Sequence, residues 1–600
     1  MTRFGTKSKL VAAAVGGALV LTACGSDNGD GNGSSDDGAQ SDGGGGGTIT
    51  LGYEQEWTTW NATTSDGNLS ANSVATYHVT TGFWYFGEGG EITPNEDFGS
   101  YEVVNEDPLT VTYTFHEDAA WSDGTPIDCV DALLWWTQQG GYLDWSTPGT
   151  GGIEDTKMPD CNAGDKEFTI EYLTPYVDWE AAGPGHGNNS IQPAHVVAEQ
   201  GGLDSADELI DIIKAVEWDY STPHNAREHG GIEEAEDALA EAIDFFKTGW
   251  IIDGALPDEA LIPSSGPFTV GSYDAGEQLT LVPNTEYWGT PAAADEVVFR
   301  YIAQDAQAQA LQNGEIDIMA PQPSVDLKNQ LESLSGVEVE VYDQYLYEHA
   351  TFNFESGPFS ESLPLREAFM KCLPRETLVE NLIRPVDPEA EVRNSVVAHP
   401  LDPYYDAVVD ASLPAEFAEQ DIDGAREILE DEDAVGTEIR LRTLDNPRRN
   451  AQGQLIKDAC DEAGFEVDFE AHGDFFAQDG AMYTNRYDVA MAGWSGSAVI
   501  AGWNSTYSTP DECSASGKGN NNGCYSNADL DALLEQVLEA ADEDEKVELI
   551  SEISSILWSD GVSVPLFNHP GMAAWADDVQ NVVPNPAQSD IVWNMPLWAR

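Results

Sequence analysis

Cationic side chains are scarce in this 600-residue sequence. Its 25 Lys and Arg stand against 107 Asp and Glu, a formal charge of -82. A basic footprint that could neutralise nucleic-acid phosphates is missing, and so is one for anionic lipid headgroups. Long apolar runs are also lacking. After residues 10–21 no segment offers 18 consecutive apolar side chains, so no membrane-spanning helix is predicted. Nucleotide and nucleophile motifs are absent too. Gly517-Lys518 is followed by Gly519 rather than Ser or Thr, GWSGS (493–497) has the second glycine of G-x-S-x-G one place early, and no G-x-G-x-x-G follows a strand. Among 107 acids, paired carboxylates carry no information, and none of the ten His sits in a recognisable catalytic context. No C-x-x-C occurs, and His224 and His229 are five apart, so they do not share a helix face as an H-E-x-x-H pair does. Neither a metal, a cofactor nor a catalytic set is predicted.

What is present is a large core. Hydrophobic residues make up 41% of the chain and aromatics 10%, which excludes disorder throughout. The length suggests about three or four domain-sized units.

The first fifty residues place the chain. Arg3, Lys7 and Lys9 precede the apolar stretch 10–21, which is too short to span ~30 Å of hydrocarbon. It ends in Leu21-Thr22-Ala23-Cys24, which resembles the bacterial lipobox; that resemblance implies cleavage before Cys24 and lipidation of its thiol. Residues 1–23 are thus expected to be a lipoprotein signal peptide. Residues 24–47 are expected to be a disordered Gly/Ser/Asp tether with a span of ~25 Å, holding an extracytoplasmic body off the outer face of the cell membrane.

Six cysteines remain beyond Cys24, an even number that fits disulfides in an exported protein. Sequence alone leaves fifteen pairings open. The expectation is nearest-neighbour pairing: Cys129–Cys161, Cys372–Cys460 and Cys513–Cys524.

Along the body, strands are predicted at 49–57 and 109–115 by alternation. Asp128 is a candidate N-cap for an amphipathic helix over 129–139. Residues 203–247 read as acidic surface helices. From 261 onward strands at 278–283, 295–302, 315–319, 438–444, 466–471, 487–494 and 562–568 are interleaved with helices at 306–314, 365–373, 423–431, 449–464, 527–540 and 543–558. This is an α/β signature without a short-period repeat.

Five segments, taken in order, resemble the extracytoplasmic solute-binding proteins of ABC importers, specifically the oligopeptide/dipeptide/nickel class called family 5. They are WSDGTPIDCVDALLWW (121–136), SSGPFTVGSYDAGEQLTLVPNTEYWG (264–289), DEVVFRYIAQDAQAQALQNGEIDIM (295–319), FNFESGPFSESLPLREAFMKCLPRETLVENLI (352–383) and YDVAMAGW (487–494). The resemblance implies a two-lobed periplasmic-binding-protein-like (type II) α/β fold with an extra small domain on the first lobe. Lobe I would span 48–302 with the small domain at about 91–250, lobe II 303–561, and 562–600 would return to lobe I. The crossing strands are expected near 299–302 and 562–568. The implied function is a monomeric, lipid-anchored receptor that captures an oligopeptide-like solute by lobe closure for ABC permease and ATPase subunits, without catalysis. A secreted hydrolase or a cell-wall binding protein is the alternative.

The same resemblance identifies Trp494 as a pocket tryptophan and Gly493 as a point of close backbone approach, with Ser495 beside them. Relatives often carry an Asp three residues after this Trp and a basic residue three before it. Here those positions are Ser497 and Met491, so capture of an α-ammonium group at this point is not implied. Further aromatic and polar candidates for the cleft are Tyr53, Trp57 and Trp60 after the first strand, and Trp503, Asn504 and Tyr507 beyond the pocket strand. FWYF (83–86) is expected in the core, and Asp107 and Asp123 in solvated turns. Acids occur in helices, loops and tether alike rather than in one stripe, which fits a hydrated surface in a saline or alkaline habitat, with long-range attraction of cationic ligands as the alternative.

Overall fold

The computed structural model describes residues 46–147, 151–221, 227–476, 480–482, 484–495, 500, 502–510, 513, 520–540 and 542–600. The signal segment, Cys24, all but the last two tether residues, His224 and Ser497 lie outside the described residues. Among the described residues no helix is long and apolar enough to cross a membrane.

Fifteen strands are described: β1 (Thr48–Tyr53), β2 (Trp84–Phe86), β3 (Ile92–Pro94), β4 (Gly99–Glu106), β5 (Leu109–Phe115), β6 (Glu167–Glu171), β7 (Phe268–Asp274), β8 (Gln278–Pro283), β9 (Glu296–Tyr301), β10 (Ile318–Met319), β11 (Val337–Phe352), β12 (Glu438–Leu444), β13 (Glu466–His472), β14 (Val489–Ser495) and β15 (Ser563–Ala576). Ten of them form one mixed sheet in the order β13-β12-β14-β11-β15-β10-β1-β9-β8-β7. β4, β5 and β6 form a separate antiparallel sheet, and β2 pairs with β3.

The two halves of the large sheet are joined by an antiparallel ribbon of its two longest strands, β11 and β15. One end of β15 pairs with β10, through Ala574 and Trp575. The other end of β11 pairs with β14, from Leu346↔Ser495 to Phe352↔Val489. The ribbon register breaks between Asp343↔Pro570 and Tyr347↔Asn568, where β11 carries extra residues. Such a bulge bends and twists a strand locally. The expected first crossing at 299–302 is corrected: β9 pairs with β1 and β8 along its length. β10, which follows residue 303, sits between β1 and β15. The other crossing, expected near 562–568, falls on the start of β15, whereas β11 has no counterpart among the predicted strands.

Local chemistry explains the elements. Asp128 caps the helix Cys129–Gln139, and Asp131 returns the bond to the Asp128 backbone, a reciprocal capping box. The helix was expected to be amphipathic, yet all eleven residues are buried, as in a core helix. Burial pushes the Asp131 carboxyl up to about 6, although the Ala194 and Asp128 amides oppose the shift. The acidic segment forms the helices Ala206–Ala215, Ile232–Ala238 and Ala240–Thr248, which bury Leu209, Ile210, Ile213, Ile243 and Phe246 and expose their acids. Phe83 and Trp84 are buried as expected, and Tyr85 and Phe86 half-buried.

The six body cysteines pair as nearest neighbours: Cys129–Cys161, Cys372–Cys460 and Cys513–Cys524, with Cα separations of 5.9, 5.1 and 5.8 Å.

Candidate functional site

In open α/β sheets ligands bind beyond the carboxyl ends of the parallel strands. Here β1 ends at Tyr53, β12 at Leu444 and β14 at Ser495, and these ends converge on the ribbon bulge. A cavity of about 210 Å³ opens at this convergence. Its walls come from Gly52 and Tyr53 of β1, Gln344 and Leu346 of β11, and Ser589 and Asp590 of the C-terminal segment.

On the β14 side the ribbon carries a largely buried cationic network. Glu348 of β11 is fully buried and accepts from Arg449 Nε at 2.9 Å, from Arg449 Nη2 at 3.1 Å and from His569 Nε2 at 2.9 Å. Burial alone would raise its carboxyl, but His569 and then Arg449 override this and hold it well below the usual carboxylate range. His569, on β15 beside the bulge, is pushed down to about 4, by burial first and then by Arg448. It is therefore neutral near pH 7. Its Nε2–H donates to Glu348, and its Nδ1 accepts from Arg448 Nη2 at 2.9 Å. The network Arg448–His569–Glu348–Arg449 thus carries one positive charge in excess. Among the described residues no carboxylate lies within ion-pair distance of Arg448, and its Nε is buried without a partner.

Both arginines occupy the first turn of the helix Pro447–Ala463, which starts just beyond β12. That turn favours anions, so cations there work against the helix dipole. The Glu348 carboxylate accounts for Arg449. Among the described residues no carboxylate does the same for Arg448.

Gly493 stands beside the buried ion pair. A Cβ at Gly493 would stand 3.1 Å from Arg449 Nη2 and 3.6 Å from Glu348 Oε2. Its bare backbone makes room for the buried ion pair. Trp494 alternates to the opposite face of β14. It is half-buried and stacks on His349, with ring centroids 6.0 Å apart and planes 8° apart. Trp494 and Trp503 both pack against the apolar cluster that holds Tyr347, Tyr507 and Tyr525.

Of the other expected site residues, Tyr53 lines the cavity, and its hydroxyl is pushed up by burial and then by Asp590. Trp57 and Trp60 do not reach it. They are 2% and 0% exposed and lie edge-on to Tyr273 and tilted against Trp250 in the first core. Asn61 is likewise buried and donates to the Phe246 carbonyl. Ser495 pairs with Leu346 through its backbone, and the backbone of Asn504 lies in the helix Gly502–Tyr507. The side chains of Ser495 and Asn504 are outside the described residues. Glu348, Arg448, Arg449, His569 and Asp590 were not foreseen. The one sequence signal for them was a pair of arginines opening a helix in an acid-rich chain.

Hydrogen bonds also bridge the halves away from the ribbon, among them Lys328 Nζ to the Val386 carbonyl at 2.6 Å. Val177 N–H donates to the Leu538 carbonyl at 2.7 Å, and Asp178 Oδ2 accepts from Ile500 N–H at 2.7 Å. Residues 177–178 follow β6 in the inserted region, and Leu538 ends the helix Ala528–Leu538 of the second half.

Known proteins share this architecture. An uncharacterized lipoprotein of Mycobacterium tuberculosis is 27% identical over 557 residues, covering 90% of this chain and 91% of the relative. The oligopeptide-binding protein OppA of the same organism is 24% identical, over 86% of this chain and 79% of its own. The solved structure of the periplasmic EDTA-binding protein EppA superposes with a TM-score of 0.76 at 21% identity, covering 93% of this chain and 97% of that one. The family model for bacterial extracellular solute-binding proteins, family 5, matches residues 98–513. The chain therefore belongs to the family 5 bacterial extracellular solute-binding proteins.

Proposed function

We propose that this chain is the lipid-anchored receptor of an ABC importer. It captures an oligopeptide-like solute between two lobes and delivers it, without turnover, to a permease with its ATPase subunits. The first lobe comprises residues 46–336 with the inserted helices and small sheet, completed by 577–600. The second comprises 353–562, and the ribbon of β11 and β15 is the hinge between them. Cys24 carries the lipid, and the tether lets a monomeric body reach the permease.

The observation that carries the peptide reading is the excess positive charge of the Arg448 network at the carboxyl ends of β12 and β14. An uncompensated buried cation is costly, and a ligand carboxylate would complete the network with charge-assisted hydrogen bonds. A peptide C-terminus supplies that group, and the similar OppA is named for oligopeptide binding. A closing cleft also excludes water, which strengthens each such contact.

The test is calorimetric titration with short peptides and with the same peptides amidated at the C-terminus, alongside mass spectrometry of the mixture. Free-acid peptides should bind about tenfold more tightly than amides, emerge uncleaved, and lose that preference in Arg448→Met. Cleavage products would overturn the receptor reading. Equal affinity for acid and amide would overturn the carboxylate subsite.

A further inference from the structure

The cavity is lined by a carboxylate, Asp590, that lies outside the Arg448 network. Asp590 opens the C-terminal 3₁₀ run Asp590–Leu597 and adopts a left-handed backbone, with φ of 46°. Its Oδ1 accepts from the Tyr342 hydroxyl at 2.5 Å. Among the described residues no Lys, Arg or His lies within ion-pair distance of it. Burial pushes its carboxyl up to about 6, against the opposing effects of the Tyr342 hydroxyl and the Ile591 amide. The side chain is nevertheless only half-buried, because the cavity reaches it. It is a largely desolvated acid facing space that a ligand could fill.

The ribbon relates this acid to the cationic network. Tyr342 of β11 is paired with Gly571 of β15, and a Cβ at Gly571 would stand 2.4 Å from the Tyr342 ring. The ring therefore lies over Gly571, which only glycine permits. Gly571 and His569 are two residues apart on one strand, so they share a face. The Tyr342–Asp590 pair and the His569–Arg448 pair thus stand on the same face of the ribbon, on either side of the bulge, separated by ~7 Å along β15.

We propose that Asp590, oriented by Tyr342, is the subsite for a cationic group of the solute, an α-ammonium in the first instance. The cleft is then bipolar, and the solute class narrows to peptides with both termini free. This deepens the peptide reading above and rests on it. It also accounts for Ser497, since the acid missing after Trp494 is supplied by the C-terminal segment. An ammonium placed here would pair with a carboxylate already stripped of water, where charge-assisted bonds are strongest.

The experiment compares a short peptide, its N-acetylated form and its C-terminal amide on the wild-type chain and on Asp590→Asn. Asn tolerates a left-handed backbone and keeps an acceptor for Tyr342, so the variant should fold. Wild type should prefer the free amine over the acetylated form by about tenfold. Asp590→Asn should lose that preference while keeping its discrimination between acid and amide. A variant that still prefers the free amine would overturn the Asp590 subsite and leave the carboxylate reading intact. If no peptide binds the wild type, the peptide reading fails, and mass spectrometry of the co-purifying solute decides the subsite. A solute with a cationic group would support it, and one without would overturn it.

Discussion

The buried Glu348 carboxylate offers the sharpest test of the site's construction. In Glu348→Gln one oxygen becomes an NH₂ group. It must then face either the Arg449 guanidinium or the His569 N–H, both of which are donors. Arg449 is left in the interior, with its side chain 10% exposed and no counter-charge, while Arg448 lies nearby. Removing one partner of a buried pair costs about 3–5 kcal/mol, because the other charge remains desolvated. The β14 amides that pair with β11 should therefore open about 3–5 kcal/mol more easily, a difference that native-state hydrogen exchange reads directly. Adding Arg449→Met removes the stranded charge and should recover most of the loss, so the double variant should be more stable than the single one. Acidity supplies an independent arm. The folded carboxyl lies below the ordinary value of 4.5, so its contribution is full above that pH and fades as pH falls through and below it. Wild type and Glu348→Gln should converge in stability in acid. An exchange difference below about 1 kcal/mol at neutral pH, or a double variant no better than the single, would refute the buried network.

Four further outcomes follow from the same structure. Trp494→Ala should cost about 1–2 kcal/mol, less than the 3–5 of a fully buried aromatic, and should weaken solute binding; a sharp loss of stability with unchanged affinity would assign the ring to packing alone. Replacing Cys372 and Cys460 together should cost about 4–5 kcal/mol, since they lie 88 residues apart in sequence, and denaturation of the double alanine variant measures it. Asp178→Ala removes the acceptor for Ile500 N–H, so solute affinity should fall about tenfold and the solute-bound form should be larger by small-angle scattering, with the melting temperature little changed. Raising salt should raise the melting temperature by screening a charge of -82, and a flat or falling response would contradict the reading of the acids as a hydrated surface.

The sequence made elements legible where one side is buried over a whole period. β5, β8 and β12 fall on the predicted residues, and the helices before and after β12 lie within two residues of theirs. β11 escaped recognition because it is two environments in one strand. Its first half alternates between half-buried and exposed residues, its last six residues are all buried, and a bulge separates the two patterns. Trp57 and Trp60 show a second limit. An aromatic after a central strand can face cleft or core, and Tyr273 and Trp250, which cover them, lie some two hundred residues away in sequence. Gly493 and Trp494 were picked out by resemblance, but the reason for the glycine was invisible until Arg449 and Glu348 stood beside it. Asp590 carried no local signal at all, since one acid among 107 is indistinguishable by type.

The ribbon has a consequence for how the chain comes to be folded. β15 completes the first half only after the whole second half has been synthesised, and the last residues finish it: Arg600 bonds the Thr48 carbonyl and Asp317, and His78 bonds the carbonyls of Val592 and Trp593. The first half is therefore packed together by segments that lie on both sides of the second half in the chain. The second half is different, because it enters and leaves at neighbours: Phe352 N–H donates to the Val562 carbonyl, and Thr351 pairs with Ser563. It is a closed loop of chain whose ends meet, able to mature as a unit inside an unfinished host.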